Sequence, residues 1–158
     1  MTIEVRQLQL EDKPNWMSLW RGYLEFYESP EFDSRTESLW LQLLDPEHDF
    51  ECSVATLDGD VVGIAQYFPH IDTWFENPVC YLNDLFVAPE ARGRGIGRIL
   101  IEEVNRVTAQ RGWQHVYLHT HIDDNDVARA LYDSLEGVDS SFMVYELPPA
   151  AQAARVRE

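Results

Sequence analysis

Residues 84–104 read DLFVAPEARGRGIGRILIEEV, and this stretch orients the reading of the rest of the chain. Strand-forming residues run into Pro89. Glycines then alternate with other residues at Gly93, Gly95 and Gly97, interleaved with Arg92, Arg94 and Arg98. Beyond them Ile96, Ile99, Leu100, Val104 and Val107 share one face of a helix that Gly112 can end. A strand, a glycine turn and a helix in that order give a glycine-rich motif its meaning. Glycines let the backbone approach an anion without Cβ atoms in the way. The first N–H groups of the helix have no internal acceptor, and its dipole favours negative charge there. The loop therefore reads as a phosphate cradle, with an unliganded β–α turn as the plain alternative. It is no nucleoside-triphosphate loop, because Arg98 and Ile99 follow Gly97 where Lys and Ser or Thr are required. It is no dinucleotide fingerprint either. The glycines are spaced G-x-G-x-G, and they come late in the chain.

Upstream, TIEVRQLQ alternates as a strand. Trp16, Leu19, Trp20, Tyr23, Phe26 and Tyr27 then recur at helical spacing, with Asp12 placed to cap the helix and Pro14 tolerable in its first turn. Ser34 and Glu37 have capping-box spacing ahead of a second helix, which Asp45-Pro46 ends. Asp58-Gly59 between CSVATL and VVGIAQYF is a hairpin signal. PVCYLNDLFVAP is a further strand. Downstream, WQHVYLHTH reads as a strand, DNDVARALYDSL as a short helix, SFMVYEL as a last strand, and PPAAQAARVRE as a loose tail. The order is β-α-α-β-β-β-α-β-α-β. It predicts an α/β (α+β) fold, a mixed sheet with helices on both faces. One domain is expected over residues 1–147, with a flexible tail at 148–158.

With 28 acidic against 12 basic residues, the formal net charge is −16. This argues against nucleic-acid binding, where cations must neutralise phosphates, and it accords with a cationic substrate or simply with solubility. No apolar run nears the roughly 20 residues of a membrane helix, and MTIEVRQLQLED lacks the features of a secretory leader. Cys52 and Cys80 form no CxxC pattern, so neither a disulfide framework nor a zinc site is expected. A cytoplasmic protein is the expectation. His119 and His121 would share one strand face, but no nearby acid completes a ligand set, so no metal is expected.

Taken together, DLFVAPEARGRGIGRILIEEV and Asn125-Asp126-Val127-Ala128-Arg129-Ala130-Leu131-Tyr132 resemble the two signature elements of the GNAT N-acetyltransferases. These are an Arg/Gln-x-x-Gly-x-Gly/Ala turn after the fourth strand and an Asn-x-x-Ala-x-x-x-Tyr segment one strand later. The resemblance runs over roughly residues 3–147. WRGYLEFY, YLNDLFV and ARALYD look most like the bacterial branch related to histone and polyamine acetyltransferases. It implies a mostly antiparallel sheet splayed at the fourth strand, with acetyl-CoA as acyl donor. In that pattern Leu85, Phe86 and Val87 would lie along the pantetheine arm. Arg92, Gly93, Arg94, Gly95, Ile96, Gly97 and Arg98 would hold the pyrophosphate. Asn125 would contact the cofactor arm, and Tyr132 would protonate the departing thiolate, a task suited to a phenol. Tyr23 and Glu25, from the first helices, and Asn83 would reach the acceptor. A homodimer is a further implication.

One departure bears on mechanism. Related polyamine-type enzymes carry a Glu-Asp pair on the fourth strand, its Glu the proposed base, and this chain has Asn83-Asp84. Asn cannot take the amine's proton. Asp84 could, if a bulge resets the strand's parity. Glu25, His119 or His121 could also serve, or water could carry the proton away. The closing Gly-Phe of the second element is replaced by Glu136-Gly137-Val138. The expected activity is transfer of an acetyl group from acetyl-CoA to a primary amine in a ternary complex. A non-catalytic acyl-CoA-binding module is the second reading.

Overall fold

A computed structural model describes residues 2–123 and 125–147. The described chain divides after Leu118 into two compact units. The first holds β1 (Ile3–Gln7), α1 (Lys13–Phe26), α2 (Thr36–Leu44), β2 (Glu51–Leu57), β3 (Asp60–His70), β4 (Val79–Val87), α3 (Ile96–Arg111) and β5 (Val116–Leu118). The second holds α4 (Asp126–Asp133).

The sheet runs β1-β2-β3-β4-β5, antiparallel throughout except for the parallel β4–β5 pair. Asp58 and Gly59 make the β2–β3 turn, both with positive φ (51° and 99°), which fits a two-residue hairpin with Leu57 paired to Asp60. Helices cover both faces. On one, the α1 indole of Trp16 is fully buried and donates to Gln66 of β3. On the other, Gly63 of β3 lies against Leu100 and Ile96 of α3, where an added Cβ would meet them at 3.1 and 3.3 Å. α2 joins the first layer through Trp40, whose ring centroid is 5.2 Å from that of Trp16. Gly112 (φ 70°) ends α3 as expected, its N–H and that of Trp113 closing onto Ala109 and Thr108 carbonyls.

Several elements differ from the sequence reading. Asp12 precedes α1 but makes no side-chain cap. Its carboxylate is taken by a two-pronged ion pair with Arg6 (2.7 and 2.8 Å) and by the Gln9 N–H. Ser34 and Glu37 form no capping box. Pro30 opens a 3₁₀ turn through Arg35, so Ser34 bonds the Glu31 carbonyl, and Glu37 pairs with Lys13. β5 is only three residues long. Residues 141–147 form no strand. They are rich in strand-forming residues, but Phe142, Tyr145 and Leu147 are 79%, 80% and 88% exposed. Such a run makes a strand only where it finds a partner to pair with. The tail at 148–158 lies outside the described residues.

Candidate active site

β4 determines the site. Its ladder with β3 pairs Tyr67 with Leu82 and Gln66 with Asp84, leaving Asn83 as an extra residue. Directly paired residues share a face, and Gln66 and Tyr67, being adjacent, point to opposite ones. Leu82 and Asp84 therefore lie on opposite faces, although unbroken alternation would put them on the same one. The bulge resets the parity and turns Asp84 toward α1.

There Asp84 is 7% exposed and surrounded by neutral donors. The Gln66 amide donates to its carboxylate at 2.8 Å. Burial pushes the Asp84 carboxyl above the ordinary Asp value, and the polar side chains of Asn83, Gln66 and Tyr23 pull it part of the way back. Tyr23 is held far above the usual phenol range by burial and then by the Asp84 charge, so it remains a donor. Its ring stacks on Trp20 (5.5 Å) and meets Phe86 edge-on (6.3 Å).

The β4–β5 ladder covers only Cys80–Leu82. From Asn83 to Val87 the outer edge of β4 has no strand partner among the described residues. An extended chain carrying amides could pair there as an added strand. The glycine loop follows. Gly93 (φ 74°) and Gly95 (φ 80°) are left-handed, and Gly95 is the residue on which α3 begins. No side chain caps that end, and the amides of Ile96 and Gly97 lie ahead of the bond that Ile99 makes to the Gly95 carbonyl (3.1 Å). An open strand edge leading into an uncapped helix N-terminus fits the amides and pyrophosphate of an acyl-CoA.

The remaining site residues are distributed as follows. Leu85 and Val87 are half-buried, and the Phe86 ring packs inward, close against Gly22. Arg92 turns back from the loop. It donates to the Val87 carbonyl (2.9 Å), with its guanidinium over the rings of Phe86 and Phe26 at 5.3 and 5.9 Å. Glu25 is exposed and lines an open cleft with Phe26, Phe86, Glu90 and Arg92. Asn125 and Tyr132 belong to the second unit. Asn125 opens α4 and donates to Thr120 (3.1 Å), and Tyr132 is half-buried in the last turn of α4. His119 and His121 lie in that unit too, and no group of three or more potential metal ligands occurs among the described residues. The sequence reading missed Gln66. Its signal was a lone amide inside the apolar run VVGIAQYF, and a buried polar side chain needs a partner.

An unpaired sheet edge, a carboxylate at a bulge and a glycine-opened helix fit an acyl-CoA-dependent transferase. The model of the acetyltransferase (GNAT) family matches residues 13–136. A D-amino-acid N-acetyltransferase of Saccharomyces cerevisiae is 32% identical over 117 residues, 73% of each chain. A thialysine N-epsilon-acetyltransferase of Bos taurus is 37% identical over 79 residues, 50% of this chain and 45% of the relative. The crystal structure of an aminoglycoside acetyltransferase from an uncultured soil metagenomic sample superposes with TM-score 0.77 at 25% identity, over 93% of this chain and 95% of that one. The chain belongs to the GNAT acetyltransferase family. It is an acetyl-CoA-dependent N-acetyltransferase, and this sets aside the non-catalytic binding module. Among the described residues no helix is long and apolar enough to cross a membrane.

Proposed function

We propose that this enzyme acetylates a primary amine of a small or peptidic cationic acceptor, by direct attack in a ternary complex, with Asp84 as the base. The observation that carries this reading is the bulge at Asn83. It sets a buried carboxylate of raised pKa beside the point where β4 parts from β5. Asp84 accepts the ammonium proton over a bridging water, because its own carboxylate is largely enclosed. The freed nitrogen attacks the thioester carbonyl carbon and the C–S bond breaks. Tyr132 protonates the departing thiolate, and the nitrogen's second proton returns to Tyr132 through solvent. Main-chain N–H groups at the opened edge stabilise the developing oxyanion. Neither cysteine is a nucleophile in this scheme. Both are buried, and burial pushes the Cys80 thiol up to about 11.

Support for a cationic amine comes from the net charge of −16 and from the relatives. The names of those relatives give D-amino acids, thialysine and aminoglycosides as their acceptors, all of them amines. Tyr23, Glu25 and Asn83 are proposed to hold the acceptor. Leu85 to Val87, Arg92 to Arg98 and Asn125 are proposed to hold acetyl-CoA. The two units are proposed to act as one domain over residues 1–147, since the family match crosses their boundary. Two buried, unpaired cysteines accord with a reducing cytoplasm. A homodimer is proposed too, with Trp74, 79% exposed, as a contact that sedimentation of a Trp74→Ser variant would report. The decisive assay follows CoA release with a panel of polyamines, D-amino acids, lysine analogues and aminoglycosides. Release with at least one cationic amine is expected. Release only with neutral or anionic amines would overturn the acceptor class.

A further inference from the structure

Behind Asp84 stands a chain of groups whose polarity runs one way. Trp16 is fully buried in α1, and its indole nitrogen donates to Gln66 Oε1 at 2.8 Å. Gln66, 2% exposed, donates from Nε2 to Asp84 Oδ2 at 2.8 Å. A carboxamide can ordinarily turn over and offer either its oxygen or its nitrogen. Here it cannot, because an indole N–H only donates and demands the oxygen end. The nitrogen end is thereby committed to Asp84.

We propose that Gln66 is a positioning residue for acetyl transfer: locked in one orientation by Trp16, it presents a permanent N–H donor that keeps the Asp84 carboxylate in its ionised, proton-accepting form. The inference rests on Asp84 being the base. Burial alone favours a neutral carboxyl, which could accept nothing from the ammonium. The donors on Asp84 offset that tendency. Of these, Gln66, 2% exposed, reaches the carboxylate from the core. The titratable groups around Asp84 are Tyr23 of α1, with Tyr27 and Tyr81 beside it, and Cys52 of β2, which in turn senses Asp12. Burial keeps Tyr23 and the Cys52 thiol neutral at working pH, so neutral hydrogen-bond donors and not charges carry the effect.

The test is the pH profile of kcat/KM in Gln66→Met and Trp16→Phe, with thermal unfolding confirming that each variant folds. Gln66→Met keeps the side-chain length and removes the donor. It should displace the acid limb to higher pH, lowering kcat/KM about tenfold at a fixed pH on that limb. One hydrogen bond to a charged group has that size. Trp16→Phe frees the amide to turn and should displace the limb in the same direction by less. A filler residue would lower stability and scale the profile without displacing it, and such a result would overturn the proposal. A ¹³C NMR titration of the Asp84 carboxyl in wild type and Gln66→Met separates the two ideas. If the carboxyl titrates higher in the variant while Asp84→Asn keeps full turnover, Gln66 holds Asp84 but Asp84 is not the base. If Asp84→Asn is inactive while Gln66→Met leaves both titration and acid limb unmoved, only the inference about Gln66 fails.

Discussion

Replacing Gly95 by Ala tests the cofactor loop through its backbone alone. Gly95 sits at φ 80°, and a Cβ built there meets nothing within 4 Å. Steric overlap therefore contributes nothing, and the whole cost is that of holding an L-residue in the left-handed region, about 1–2 kcal/mol. At about 2–4 °C per kcal/mol for a chain of this size, the midpoint should fall by about 2–8 °C. Part of that strain is relieved by rotating the residue, and rotation re-aims the first amides of α3. Acetyl-CoA affinity should then fall as well. If it falls tenfold, ligand at 100 times the wild-type Kd stabilises the variant by about 1.4 kcal/mol instead of about 2.7. Gly59→Ala is the control. Gly59 is also left-handed (φ 99°) with nothing near its Cβ, but it lies in the β2–β3 hairpin. Both variants should melt early by differential scanning fluorimetry without ligand, and only Gly95→Ala should lose part of the acetyl-CoA increment. Equal increments in the two variants, or an undiminished midpoint in Gly95→Ala, would refute the reasoning.

Other expectations concern stability and chemistry separately. Asp12 is held below the ordinary carboxylate range by its hydrogen bonds to Arg6, so its contribution is complete above the unfolded pKa of about 3.9 and is lost as pH falls through the lower folded value. Asp12→Asn should cost about 2 kcal/mol at pH 7, and denaturant titrations at falling pH should show the difference closing in the acid range. Tyr132→Phe should lower kcat by about 100-fold with little change in the acetyl-CoA KM, the signature of a lost general acid in steady-state kinetics. At Gly22 an added Cβ would stand 3.0 Å from the Phe86 ring, so Gly22→Ala should overpack by about 1–3 kcal/mol. The helix-propensity gain of about 1 kcal/mol offsets part of this, leaving a net loss of up to about 2 kcal/mol that appears as a lower unfolding midpoint.

The parts of the fold legible in the sequence were those set by local backbone chemistry. Asp58-Gly59 announced a hairpin because both residues tolerate positive φ, and Gly112 announced a helix end for the same reason. The glycine loop and α3 followed from spacing and from the stop at Pro89. What stayed hidden depended on a partner. Asp12 looked like a cap until Arg6, six residues earlier, claimed its carboxylate. The facing of Asp84 was undetermined, because parity along β4 has meaning only against the register of β3, where the bulge at Asn83 becomes visible. Gln66 acquired its role the same way, since an amide in an apolar strand signals a need without naming the donor and acceptor that meet it. Residues 141–147 show the converse, a run of strand-forming residues that pairs with no strand among the described residues.

The central claim is that Asp84 takes the proton of a cationic amine. Steady-state CoA release by wild type and Asp84→Asn, with the best amine of the panel and saturating acetyl-CoA, tests it most directly. The wild-type kcat/KM should fall with decreasing pH as the raised Asp84 carboxyl becomes protonated, and Asp84→Asn should be slower by about 100-fold or more while still binding acetyl-CoA. An Asp84→Asn enzyme with the wild-type rate and the same acid limb would contradict the account.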